Sequence, residues 1–186
     1  MRNPPVPAAG SWMVSVIGRD RSGLLASVSA TLVDQGLDVR RATFVTWSDG
    51  AALEVFVVVG ATRPDPADLE AGVTAAIASL TEAGPLPDLV LEFDDRASPW
   101  HTVCEIDAPE RPGLLAEVAA VFRAAGVAVR AATLTSSDGR AYDTFELTTV
   151  DGRKVDPETQ DRIRALAASG VRTQRRRFRS PALTAR

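Results

Sequence analysis

Apolar positions along this chain switch between two spacings, and the order of the switches is written twice. Trp12 to Ile17 is an extended β-friendly run, Arg19 to Ser22 breaks it, and Leu24, Leu25, Val28 and Leu32 follow at helical spacing. Gly36 is placed to stop that helix, and Leu37 to Trp47 alternates as a strand. Ser48-Asp49-Gly50 predicts a tight hairpin into a return strand, Leu53 to Val59, because Asp-Gly accepts positive φ angles. A second helix is predicted to open at Asp65-Pro66, with an acidic N-cap and proline at the first helical position. It carries Leu69, Val73, Ile77 and Leu80 on one face. Leu89, Leu91 and Phe93 alternate with Val90 and Glu92 as a fourth strand.

The same order then returns. Thr102 to Ile106 reads as a strand, and Leu114, Leu115, Val118 and Phe122 as a helical stripe stopped by Gly126. Val127 to Thr135 and Tyr142 to Val150 read as strands joined at Ser137-Asp138-Gly139. Asp156-Pro157 opens a helix carrying Ile163 and Leu166, and Val171 to Phe178 is the last predicted strand. The turn glycines, 23 and 113, and the helix-stop glycines, 36 and 126, are each 90 positions apart, and the hairpin glycines, 50 and 139, are 89 apart. Three matching offsets argue for tandem units. The expected fold class is α+β, two ferredoxin-like βαββαβ units with antiparallel sheets and helices on one face. The expected division is a lead-in over 1–11, units over 12–94 and 101–179, a linker over 95–100 and a tail over 180–186.

Composition narrows the chemistry. The chain has 186 residues, 45% hydrophobic and 24% charged, as expected of a soluble globular protein. Neither a membrane-spanning apolar run nor a signal-peptide core is present in the sequence, so no membrane partner is expected and the expected compartment is the cytoplasm. One cysteine, Cys104, and one histidine, His101, leave no transition-metal cluster and no disulfide framework. Cys104 reads as a buried inert thiol, and His101 as a strand-edge residue without a nucleophile partner. The net charge of −3 does not predict nucleic-acid binding. The basic run Arg172 to Arg179 lacks the paired sheet aromatics on which RNA bases stack, and reads as a solvated edge. No cofactor, metal or catalytic residue is expected, and the chain does not read as an enzyme.

The strand-to-helix turns carry the candidate chemistry. Asp20-Arg21-Ser22-Gly23-Leu24 and Glu110-Arg111-Pro112-Gly113-Leu114 each place an acid, an arginine and a glycine ahead of a helix. Glycine admits close approach of a backbone, helix-opening amides can receive a carboxylate, and the acid can face an ammonium group. The competing structural reading makes Asp20 and Glu110 ordinary helix caps, Gly23 and Gly113 turn formers, and Arg21 and Arg111 solvated or paired side chains.

These two turns, with the topology around them, resemble the ACT family of small βαββαβ regulatory modules. Val16 to Arg21 is similar to the opening of tandem ACT repressors. Ala108 to Leu115 and Tyr142-Asp143-Thr144-Phe145 resemble the ACT pair of a larger regulatory transferase, whose catalytic part has no counterpart here. The resemblance implies a small amino acid bound at Asp20, Arg21, Ser22, Gly23 and Leu24, and at Glu110, Arg111, Pro112, Gly113 and Leu114, with occupancy passed to a regulated protein partner. Ser22 stands where the family usually has proline, and Glu110 where it has Asp or Asn, which favours the first turn for ammonium recognition. Some members of the family bind no ligand, so an interaction or dimerisation module is the alternative. Val55 to Val59 is apolar on both faces, unlike Phe145 and Leu147, which alternate with Glu146 and Thr148. A homodimer covering the outer face of the first sheet is expected from that difference.

Overall fold

The computed structural model describes residues 10–21, 23–47, 49–78 and 82–171. The elements run β1 (Gly10–Arg19), α1 (Leu24–Asp34), β2 (Asp38–Thr46), β3 (Ala51–Gly60), α2 (Pro66–Ala78) and β4 (Val90–Asp94). They continue as β5 (Thr102–Pro109), α3 (Leu114–Ala124), β6 (Val127–Thr133), β7 (Ser136–Ser137), β8 (Arg140–Thr149) and α4 (Pro157–Ser169). The expected order of strands and helices is present, apart from the last strand, Val171 to Phe178, which lies outside the described residues beyond Val171. Ser22, Ser48 and Leu80 also lie outside them, as do the lead-in up to residue 9 and the tail.

Local signals explain the element ends. Gly36 and Gly126 adopt φ of 70° and 78° just past their helices, a conformation that costs other residues roughly 1–2 kcal/mol. Asp65 Oδ1 accepts from the amides of Ala67 and Asp68 at 2.8 and 3.2 Å, and Asp156 Oδ1 from Thr159 N–H at 2.8 Å, as acidic N-caps should. Asp138 and Gly139 both take positive φ, the requirement of a two-residue hairpin turn.

Both sheets are antiparallel. The first has the order β1-β3-β2 and the second β4-β5-β8-β6, with β7 added to β8. Each core is centred on a phenylalanine in the middle strand. Phe56 lies between Val14 and Ala42, and Phe145 between Cys104 and Ala132, and both rings are fully buried. Phe44 meets Phe56 edge to face at 5.4 Å, and Phe122 meets Phe145 at 5.2 Å. Cys104 is buried and burial raises its thiol pKa to about 12, so it is the inert core thiol expected. His101 is half buried with Nδ1 2.8 Å from Glu146.

The fourth strand departs from the simple repeat. β4 pairs with β5, so it completes the second sheet and not the first. Residues 95–100, expected as a linker, form the hairpin connection of that pair. Asp94 Oδ1 accepts from Arg96 and Ala97 amides, and Asp95 accepts from Thr102 Oγ1 at 2.6 Å and Gln160 Nε2 at 3.1 Å. Two aspartates thereby tie the turn to the second unit. Leu91 and Phe93 gain a seat against the second core, with Arg164 over the Phe93 ring at 4.8 Å. Beyond β1 no described strand follows, and a broad groove of about 900 Å³ opens there between β1 and α2. The helices above reflect the difference: α4 buries Ile163 and Ala167, whereas no described residue of α2 is fully buried.

The two units meet along a seam. There β2 lies beside β6 and α1 against α3, with α2 and α4 on the outer flanks. Helix α1 is apolar and small-residued on almost every side, Leu24 to Ser29 being buried without a break, because sheet, α2 and α3 surround it.

Candidate functional site

The seam brings each turn against the second strand of the other unit. Cavities lie at both turns, and they differ. At the first turn a cavity of about 230 Å³ is lined by Asp20, Arg21, Gly23 and Leu24, by Glu54 from β3, and by Arg123, Val129 and Arg130 from the second unit. The opposite turn, Glu110 to Leu114 with Asp38, Val39 and Val33 across the seam, encloses only about 20 Å³. That is room for about one water. A sequence repeat thus folds into one roomy and one nearly filled turn.

Neither acid caps its helix. Gly23 and Gly113 are themselves the N-caps, both with φ of 86° and without a side-chain hydrogen bond. The capping alternative is corrected accordingly. Leu24 N–H donates to Arg21 O at 3.1 Å and Leu114 N–H to Arg111 O at 3.3 Å, so these first amides are used within the turns. Asp20 instead accepts from Arg130 Nη1 at 3.1 Å, across the seam. Glu110 accepts from Ser136 Oγ within its own unit, and Arg111 pairs with Glu117 one turn along α3. Arg21 and Pro112 are exposed, Gly23 and Gly113 half buried, and Leu24 and Leu114 buried. Ser22 lies outside the described residues.

Arg130 reaches Asp20 because of a β-bulge. The β6–β8 register shifts between Val129 and Ala131, leaving Arg130 as the extra residue, and a bulge re-aims such a side chain out of the regular alternation. Its Nε donates to Thr148 Oγ1 at 2.9 Å. Thr148, expected on the solvent side of its strand, is buried beneath that contact. The matching bulge in β2 frees Arg40, which turns to Asp38 at 2.7 Å and leaves Glu110 to its serine.

Beneath each turn lies a buried carboxyl that sequence reasoning missed. Glu54 and Asp143 stand 89 positions apart on the inner faces of β3 and β8, in line with Phe56 and Phe145. Burial, with Asp20 nearby, pushes Glu54 up to about 8. Burial raises Asp143 to about 6, opposed by the amide of Thr135, which donates to its Oδ1 at 3.0 Å. The signal was legible: an acid in phase with core phenylalanines on an apolar strand, at the repeat offset. Arg123 was missed as well, because it follows a helical stripe and reads as a solvated end.

Residues 102–168 match the family model described as ACT domain. The second unit is an ACT domain. Similarity extends through both units. The bifunctional uridylyltransferase/uridylyl-removing enzyme of Gluconobacter oxydans is 29% identical over 185 residues, covering 86% of this chain and 19% of that enzyme. The enzyme of the same description from Xanthomonas oryzae pv. oryzae is 30% identical over 175 residues, covering 86% and 20%. The chain therefore spans about a fifth of the length of the curated relatives it matches. Aspartate kinase from Synechocystis has 15% identity and a TM-score of 0.41, over 75% of this chain and 24% of that one, too distant to carry an argument. The tandem ACT resemblance read from the two turn motifs holds, and the ACT domain is a regulatory, amino-acid-binding module rather than a catalytic one. Among the described residues, no helix is long and apolar enough to cross a membrane.

Proposed function

We propose that this chain is a non-enzymatic regulatory module that binds a small amino acid at the first strand-to-helix turn and reports occupancy through the seam. The observation that carries this reading is the cavity beside Asp20, Gly23 and Leu24. Its roughly 230 Å³ is smaller than the about 300–1,000 Å³ of drug-sized pockets, and it holds charges of both signs. A zwitterion needs both signs. Because the cavity is walled by both units, a bound molecule favours the closed seam, and that shift is what a partner protein or a second copy could read. Arg21 lines the cavity from its rim. Glu110, Arg111, Pro112, Gly113 and Leu114 have the same turn geometry around far less space.

Affinity in the millimolar to micromolar range corresponds to about −4 to −8 kcal/mol. A few charge-assisted hydrogen bonds in a partly enclosed site supply binding of that order. Thermal shift and calorimetry against the twenty protein amino acids, with Asp20→Ala beside wild type, test the reading. At least one amino acid is expected to raise the melting temperature of wild type and to act more weakly on the variant. No response from the folded wild type would sink it.

A second reading has its own observation. Met13 and Ile17 are 72% and 79% exposed on the outer face of the first sheet, in register with Val57 and Leu53. An apolar face of this kind on an edge strand suits a ligand-independent homodimer.

A further inference from the structure

We infer that one amino acid binds per chain, at the first turn alone, with its carboxylate on Arg123 and its ammonium on Glu54, while the second turn is a closed structural contact. This rests on the amino-acid reading above and names the groups and the stoichiometry.

Glu54 and Arg123 line the same cavity, and each has one buried side-chain atom without a hydrogen-bond partner, Oε2 and Nη1 respectively. Buried polar groups are almost always satisfied, and an acid and a guanidinium that line one space, each with an unpaired atom, are complementary to a molecule carrying both opposite charges. Arg123 is held in place by the turn itself. A Cβ placed on Gly23 would come within 2.6–2.7 Å of Arg123 Cδ, Nε and Cζ, so the absence of a side chain at Gly23 makes the room that the guanidinium occupies.

The second turn lacks both unpaired groups. Val33 occupies the position matching Arg123, its Cγ1 3.9 Å from a Cβ placed on Gly113. Asp143, the counterpart of Glu54, already accepts an amide. What remains is about 20 Å³.

The charged groups that line the cavity with Glu54 are Asp20 and Arg21 from the turn ahead of α1, Arg123 from α3 and Arg130 from β6. Arg130 is paired with Asp20. Burial and Asp20 favour the protonated Glu54. An ammonium group brought against it favours the carboxylate, so binding near neutral pH is expected to expel a proton from the protein.

The full chain is titrated calorimetrically with each of the twenty amino acids in buffers of different ionisation enthalpy. The best binder is followed by its decarboxylated amine and its deaminated acid. The expected result is one site per chain, apparent heats that depend on the buffer because a proton leaves, and binding about 10- to 100-fold weaker for either analogue. Arg123→Met is expected to weaken binding by a similar factor and Arg123→Lys by less. Glu54→Gln should weaken binding and remove the buffer dependence, and Asp143→Asn should leave affinity unchanged. Unfolding curves establish that each variant is folded. Two sites per chain, or full affinity in folded Arg123→Met, would overturn this assignment while amino-acid binding itself stands. Absence of any binding to wild type would overturn both.

Discussion

Arg130 Nη1 stands 3.1 Å from Asp20 Oδ2, joining the bulged strand of one unit to the first turn of the other. The two side chains are 26% and 29% exposed, so water and salt screen them in part. A double-mutant cycle with Asp20→Asn and Arg130→Met is expected to give a coupling of about 0.5–1 kcal/mol, reduced at high salt. A coupling of zero at low salt would remove the pair from the account of the seam.

Gly23 and Gly113 share a φ of 86° and differ in what lies above them. Gly113→Ala should cost only backbone strain, about 1–2 kcal/mol. Gly23→Ala should cost that and also displace Arg123, so it is expected to be the more destabilising and to abolish amino-acid binding. Equal losses of stability, read by chemical denaturation, would contradict the contact between Gly23 and Arg123.

Glu54 makes the protein less stable as pH rises. Its pKa is near 4.5 when unfolded and about 8 in the fold, so between those values the folded state binds the extra proton and stability falls with increasing pH. Glu54→Gln should flatten that slope and stabilise the protein above pH 8, by about 3–5 kcal/mol at most at 1.36 kcal/mol per pKa unit. Melting temperatures of both proteins from pH 5 to 9 decide the matter; parallel curves would show Glu54 ionised throughout.

Phe145 is fully buried against Phe122, Cys104 and Ala132. Phe145→Ala should destabilise by about 3–5 kcal/mol. A loss below 1 kcal/mol in urea denaturation would mean that the second core closes around the gap.

Ile17→Lys and Met13→Lys place charges on the outer face of the first sheet, where they meet no core. If two copies pair through this face, light scattering at micromolar concentration will show a dimer for wild type and a monomer for the double variant. A monomeric wild type would remove the homodimer.

Much of this protein was determined by its sequence alone, because the determining interactions are local. Helix and strand periods, the glycines that stop α1 and α3, the aspartate caps of α2 and α4 and the hairpin at Asp138-Gly139 each act over a few residues. The repeat offset then ties the units together without any contact being known. The two turns were legible for the same reason.

Tertiary structure decided what no local pattern carries. Position within the repeat does not say which sheet receives β4; that follows from the turn made by Asp94 and Asp95 and from the seat of Phe93 beside Arg164. Nor does spacing show that a bulge at Arg130 aims one arginine across the seam while its twin, Arg40, turns back to Asp38. Two turns alike in sequence became one open cavity and one closed contact because Arg123 faces Gly23 and Val33 faces Gly113, residues that meet only when the units pack. A turn's own residues set its backbone; the space and the charge beside it come from the opposite unit.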